Sequence, residues 1–162
     1  MRREVINYHF VTHWRIRGPI GLVYSILKEG KNYSKWWGSA YKSTKEVAKN
    51  SVEVLVRAKL PYTLRFTTEL LSENKPHGFV LKASGELVGT GRWALRESGE
   101  ITEVIFYWDV WAEKKIIRWF SFLLKPLFVW NHDWVMKEGE KGLQKEVDQK
   151  VLLPFVRGGR VG

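Results

Sequence analysis

The chain has 162 residues, 44% apolar and 27% charged, and 27 Lys plus Arg against 17 Asp plus Glu give it a net charge of +10. That size suits one domain with a respectable core, and the balance excludes a disordered or membrane-embedded chain. It has no cysteine, so disulfides and thiolate metal sites are excluded and a reducing compartment such as the cytoplasm fits.

Met1-Arg2-Arg3-Glu4-Val5-Ile6-Asn7 is basic but precedes no apolar run, so no signal peptide is expected. From Tyr8 to Arg17 the residues alternate: Tyr8, Phe10, Thr12, Trp14 and Ile16 share one face, and His9, His13, Arg15 and Arg17 the other. Period two predicts a half-buried strand, with both histidines on the surface. Gly18-Pro19 ends it and opens a short helix through Ile20, Val23, Tyr24 and Leu27, closed by Gly30. A second short helix carries Tyr33, Trp36 and Trp37.

Residues 40–113 read as six strands, near 40–49, 51–60, 62–72, 79–86, 88–96 and 101–113. Asn50, the Pro61 region, Asn74-Pro76-Gly78 and Ser98-Gly99 supply turns between them. Gly85, Gly89 and Gly91 mark bends that a curved sheet requires. In the last strand Thr102, Val104, Phe106, Trp108 and Val110 share a face, while Ile105, Tyr107 and Trp111 show that the other face is partly covered.

From Lys115 the pattern is helical, with Pro126 as a break or a fresh start. Trp130, Trp134, Val135 and Met136 begin an apolar stripe that continues through Leu143 and Val147. Gly139 and Gly142 would each weaken an isolated helix by about 1 kcal/mol, so they signal close packing or a bend. Residues 116–130 are the longest apolar stretch, but Arg118, Lys125 and Pro126 make it a poor membrane span. The predicted fold is α+β: a curved seven-stranded antiparallel sheet around a long C-terminal helix, with two short helices after the first strand. One domain spans 1–150, and 151–162 is a partly disordered tail. A single helix cannot cover so wide a sheet everywhere, and the space left over becomes an apolar cavity.

Several segments resemble the START and pollen-allergen-like helix-grip superfamily (SRPBCC, polyketide cyclase/dehydrase). They are Ile16 to Leu27, Tyr33 with Trp36-Trp37, Leu60-Pro61-Tyr62, the run from Gly85 to Trp93, Tyr107-Trp108-Asp109-Val110, the run from Trp130 to Met136, Gly139 and Gly142-Leu143. The resemblance covers roughly residues 8–150 and points to a bacterial subgroup whose members mostly lack an assigned activity; Glu86 departs from the Asp of that subgroup. It implies the helix-grip fold and a hydrophobic-ligand cavity, but not a reaction, because the superfamily mixes carriers, receptors and cyclases.

The candidate ligand-binding residues are Thr12, Trp14, Trp37, Val54, Phe66, Trp93, Phe106, Trp108, His132 and Met136. For the aromatics, core packing and cavity lining remain alternatives. His132 reads either as an acid/base or hydrogen-bond donor inside the cavity, or as a backbone-bonded residue beside an Asn131 or Asp133 cap. Asp109 needs a partner, with Arg92 on the neighbouring strand a candidate, and with Glu86 the two could form a polar end to the cavity. If the chain is an enzyme, the candidate catalytic residues are His132, Asp109 and Arg92.

No metal set is expected, since His9, His13, His77 and His132 are dispersed, and no cofactor motif occurs. No nucleophile elbow is present either. The favoured function is non-catalytic binding or transport of a lipid-like or aromatic molecule. The alternative is a polyketide cyclase, aromatase or dehydratase using the same cavity. Nucleic acid is an unfavoured partner, since no recognition motif accompanies the charge. Lys114, Lys115, Arg118 and Lys125, beside Trp119, Phe120, Phe122, Leu123 and Leu124, suggest reversible docking on anionic membranes at the inner face.

Overall fold

The computed structural model describes residues 7–57, 59, 63–112 and 121–158. The alternation at the N-terminus folds as β1 (Asn7–Arg17), with Tyr8, Trp14 and Ile16 buried and His9, Val11, His13, Arg15 and Arg17 exposed. Next come α1 (Ile20–Lys28), a 3-10 turn (Gly30–Asn32) and α2 (Tyr33–Trp36). Six strands follow: β2 (Tyr41–Ala48), β3 (Ser51–Val56), β4 (Leu64–Asn74), β5 (Gly78–Gly85), β6 (Leu87–Ser98) and β7 (Ile101–Ala112). The last element is α3 (Ser121–Gly158).

The strands form one antiparallel sheet in the order β1-β7-β6-β5-β4-β3-β2. The turns at Asn50, Asn74-Pro76-Gly78 and Ser98-Gly99 fall where expected, and the Pro61 region lies outside the described residues. Asn50, between β2 and β3, takes φ 63°, a left-handed conformation that Asn tolerates better than most residues. β3 ends at Val56 instead of running to residue 60. Gly91 admits the ring of Trp108: a Cβ there would stand 2.9 Å from Cε3 and Cζ3 of that indole.

The inner face of the sheet buries Trp14, Ile16, Val54, Phe66, Phe79, Trp93, Val104, Phe106, Trp108 and Val110 against α1, α2 and α3. Side chains of α3 also complete the edge strand β1. The N–H groups of Arg15 and Arg17 donate to Glu140 Oε2 (3.2 Å) and Gln144 Oε1 (2.8 Å), and Gln144 Nε2 donates to the Arg17 carbonyl (2.9 Å). These bonds occupy backbone groups that an edge would otherwise offer to another strand, and they fix the helix lengthwise.

Three expectations for α3 need correction. The helix continues through Pro126 without a break and runs on to Gly158, so 151–158 is helical. Trp130 is 53% exposed and lies off the buried stripe, which runs through Phe128, Asn131, Val135, Met136, Leu143 and Val147. The two mid-helix glycines mark close packing. A Cβ on Gly139 would stand 2.5 Å from Cε2 and Cζ2 of Trp37, and one on Gly142 would stand 2.1 Å from the Trp36 carbonyl oxygen. Trp37 Nε1 donates to the Val135 carbonyl at 2.9 Å, and this bond clamps α2 to α3.

Leu60-Pro61-Tyr62 and the basic segment at Lys114, Lys115, Arg118, Trp119 and Phe120 lie outside the described residues. Among the described residues, no helix is long and apolar enough to cross a membrane.

Candidate functional site

Toward the N-terminal half of α3, helix and sheet separate. Residues of β3 to β7 face α3 across an apolar cavity of about 90 Å³. Phe66, Trp93, Phe106 and Trp108 form its sheet wall, and Phe128, Asn131, His132, Val135 and Met136 its helix wall. These residues converge because strand side chains alternate while 128, 131, 132, 135 and 136 recur with helical spacing on one face. The sheet wall is a continuous aromatic surface. Trp93 stacks on Phe106 with centroids 4.1 Å apart, and Phe106 on Trp108 at 5.5 Å.

His132 and Asn131 are the polar residues of the helix wall among the described residues. The His132 side chain is 11% exposed, and its imidazole stacks on Phe10 with centroids 3.7 Å apart and planes 12° from parallel. Among the described residues, neither ring nitrogen has a hydrogen-bond partner. Asp133 Oδ1 is 3.9 Å from Nδ1, too far for a hydrogen bond, and that carboxylate points into solvent. Burial lowers the imidazole pKa to about 4, so at neutral pH the ring is uncharged, with one N–H to donate and one lone pair to accept. Among the described residues, Tyr41 is the other titratable group on the lining, and burial pushes its phenol up.

Asn131 is buried and serves a structural purpose: its Oδ1 accepts the Lys59 N–H at 2.9 Å. The Lys59 ammonium lies 5.2 Å from the Trp134 ring centroid. Both contacts hold Lys59 against α3.

No protein-family model and no curated protein matches the chain. Solved structures do match. The architecture is shared with a protein from Thermus thermophilus, at TM-score 0.75 and 18% identity over 88% of this chain and 99% of that one. Zhui aromatase/cyclase from a Streptomyces species aligns at TM-score 0.72 and 11% identity, covering 90% and 96% of the two chains. A START superfamily protein from Mycobacterium smegmatis aligns at TM-score 0.64 and 11% identity, covering 87% and 97%. The chain has the START-like helix-grip fold.

Within this helix-grip fold, Trp37, Phe66, Trp93, Phe106, Trp108, His132 and Met136 line the cavity. Three other candidates do not. Trp14 is buried between Trp37 and Trp93, at 5.5 Å and 5.4 Å, and Val54 is core beneath β3. Thr12 is half-buried on β1, opposite Phe106. Asp109 and Arg92 require a correction: both are exposed on the outer face, away from His132. Asp109 pairs with His9, Oδ1 to Nδ1 2.6 Å, because β1 and β7 place the two directly opposite. Arg92 lies 4.1 Å from the Tyr107 ring centroid, and Glu86 Oε2 accepts the Arg65 N–H at 2.7 Å. No polar cavity end forms from these three. The cavity also draws on Tyr41, Leu64, Leu87, Phe128, Asn131 and Val135, none of them among the candidate ligand-binding residues. The spacing of Phe128, His132, Val135 and Met136 was the available signal; Trp130 and Trp134, as larger apolar residues, masked it.

Proposed function

We propose that this chain binds a hydrophobic, lipid-like or aromatic small molecule in the helix-grip cavity and carries it without chemical change. The unpartnered imidazole of His132 on a largely apolar wall supports this reading. A buried polar group without a partner costs about 1–3 kcal/mol, and a ligand carbonyl or hydroxyl would remove that cost while its apolar body meets Trp93, Phe106 and Trp108. The cavity of about 90 Å³ is smaller than the roughly 300 Å³ that drug-sized ligands occupy. Binding therefore enlarges the interior, with the flexible Met136 side chain best suited to move. Native mass spectrometry against fatty acids, quinones and polyketides tests the reading. A retained ligand whose affinity falls on His132→Leu is the expected result, and no retention of any class would overturn it.

A second reading, a cyclase, aromatase or dehydratase, is favoured by the same residue. A neutral, desolvated imidazole inside a cavity can take a proton from a substrate held against it. Asp109 and Arg92 lie too far outside to assist. Turnover of a polyketide analogue that is lost in His132→Ala while binding persists would select this reading over the first.

A further inference from the structure

At the opposite end of the sheet from the β3–β4 connection, a second cleft opens between α1, the 3-10 turn and strands β3 to β5. Its volume is about 390 Å³, four times that of the inner cavity and within the range of ligand sites. Its floor is apolar, built from Leu27, Val52, Leu70, Phe79 and Leu81. Leu81 and Thr68 line both spaces, so the cleft and the inner cavity share a wall.

The rim is cationic. Lys28, Lys31, Lys49 and Lys75 line the cleft against two carboxylates, Glu29 and Glu46. Lys28 is held by Glu73 at 2.5 Å, and Tyr24 donates to the same carboxylate at 2.7 Å. The bonds from Lys28 and Tyr24 hold the Glu73 carboxyl below its ordinary range. Lys31 reaches Glu46 at 3.5 Å. Lys49 and Lys75 form no ion pair within 4 Å among the described residues, although the charge of Lys75 also helps to hold the Glu73 carboxyl down, and both stand on the β2–β3 and β4–β5 turns beside the apolar floor.

We infer that this cleft is a binding site for a single-chain amphiphile with an anionic head, the chain lying on Val52, Leu70, Phe79 and Leu81 and the head between Lys49 and Lys75. Two ammonium groups outside any ion pair of the described residues, over a floor of aliphatic and aromatic side chains, complement that ligand in both charge and polarity. The site is separate from the His132 cavity and stands whether or not that cavity is filled.

Calorimetric titration of the full chain with decanoate and with decanol tests this, and amide NMR shifts locate the bound probe. Decanoate should bind with shifts at residues 49–52 and 70–81, and decanol should bind more weakly. Lys49→Glu combined with Lys75→Glu, both at exposed turn positions, should weaken decanoate about tenfold and leave decanol unchanged. Added salt should weaken decanoate alone. Equal affinity for acid and alcohol, insensitivity to the double substitution, or shifts confined to the Trp93, Phe106 and His132 surroundings would each overturn the cleft site. The last of these would support the inner-cavity reading while refuting this one.

Discussion

Between Phe128 and Met136, α3 faces a cavity of about 90 Å³, whereas between Gly139 and Val147 it lies against Trp36, Trp37 and Gly18 without room for a methyl group at the facing glycines. One helix thus grips the domain with one half, while the other half packs on Tyr8 and Phe10 of β1 and leaves a gap over β3 to β7. The gripping half uses glycine so that indole rings and backbone approach the helix axis. The cavity half uses Phe128, His132 and Met136, which hold helix and aromatic sheet apart. Close packing in one place makes the opening in the other tolerable, because the clamp at Trp36 and Trp37 keeps α3 from collapsing onto the sheet.

Truncation separates the two halves most strongly. Trp14→Ala, within the tight Trp14, Trp37 and Trp93 cluster, should cost about 4 kcal/mol in urea denaturation. Met136→Ala, which already borders open space, should cost about 2 kcal/mol. Equal losses would mean that the cavity half is as tightly filled as the other.

Acid comes next. The His132 imidazole has its pKa near 4 in the folded chain against 6.5 when solvated, so the unfolded chain takes up the proton first as pH falls. The contribution of this residue is complete above about pH 6.5 and is lost toward pH 4, by about 3 kcal/mol. Denaturation followed across that range should show this slope, and His132→Leu should flatten it. An unchanged slope in that variant would place the acid sensitivity outside the cavity.

Gly142→Ala tests the gripping half by its sign. Helix propensity alone predicts a gain of about 1 kcal/mol. The contact with the Trp36 carbonyl predicts a net loss of about 2 kcal/mol. A thermal midpoint that rises would refute the clamp. The smallest effect belongs to His132→Leu at pH 7. Replacing an unpartnered imidazole by an apolar side chain should raise stability by about 1 kcal/mol while weakening any ligand that bonds to the ring. A marked loss of stability would show that the imidazole has a structural partner.

The sequence by itself determined the strands, the turns and the inward faces. Strand side chains alternate and turns need Asn, Gly or Pro, so Trp93, Phe106 and Trp108 could be assigned to one interior without knowing their neighbours. Gly139 and Gly142 pointed to either a close approach or a bend, and not to the indoles that decide for the approach. The partners of Asp109 and Arg92 depended on strand register, which places His9 opposite Asp109 across a separation of 100 residues and Tyr107 opposite Arg92. The phase of α3 was likewise tertiary. A stripe with Trp130 on it and one with Asn131 on it differ by about 100° of rotation, one residue of a 3.6-residue turn, and only the docked helix selects between them. Both cavities are properties of distance between elements. The lysines of the outer cleft come from α1, the 3-10 turn and two hairpins, and no local pattern can bring together charges that meet only when the sheet curls.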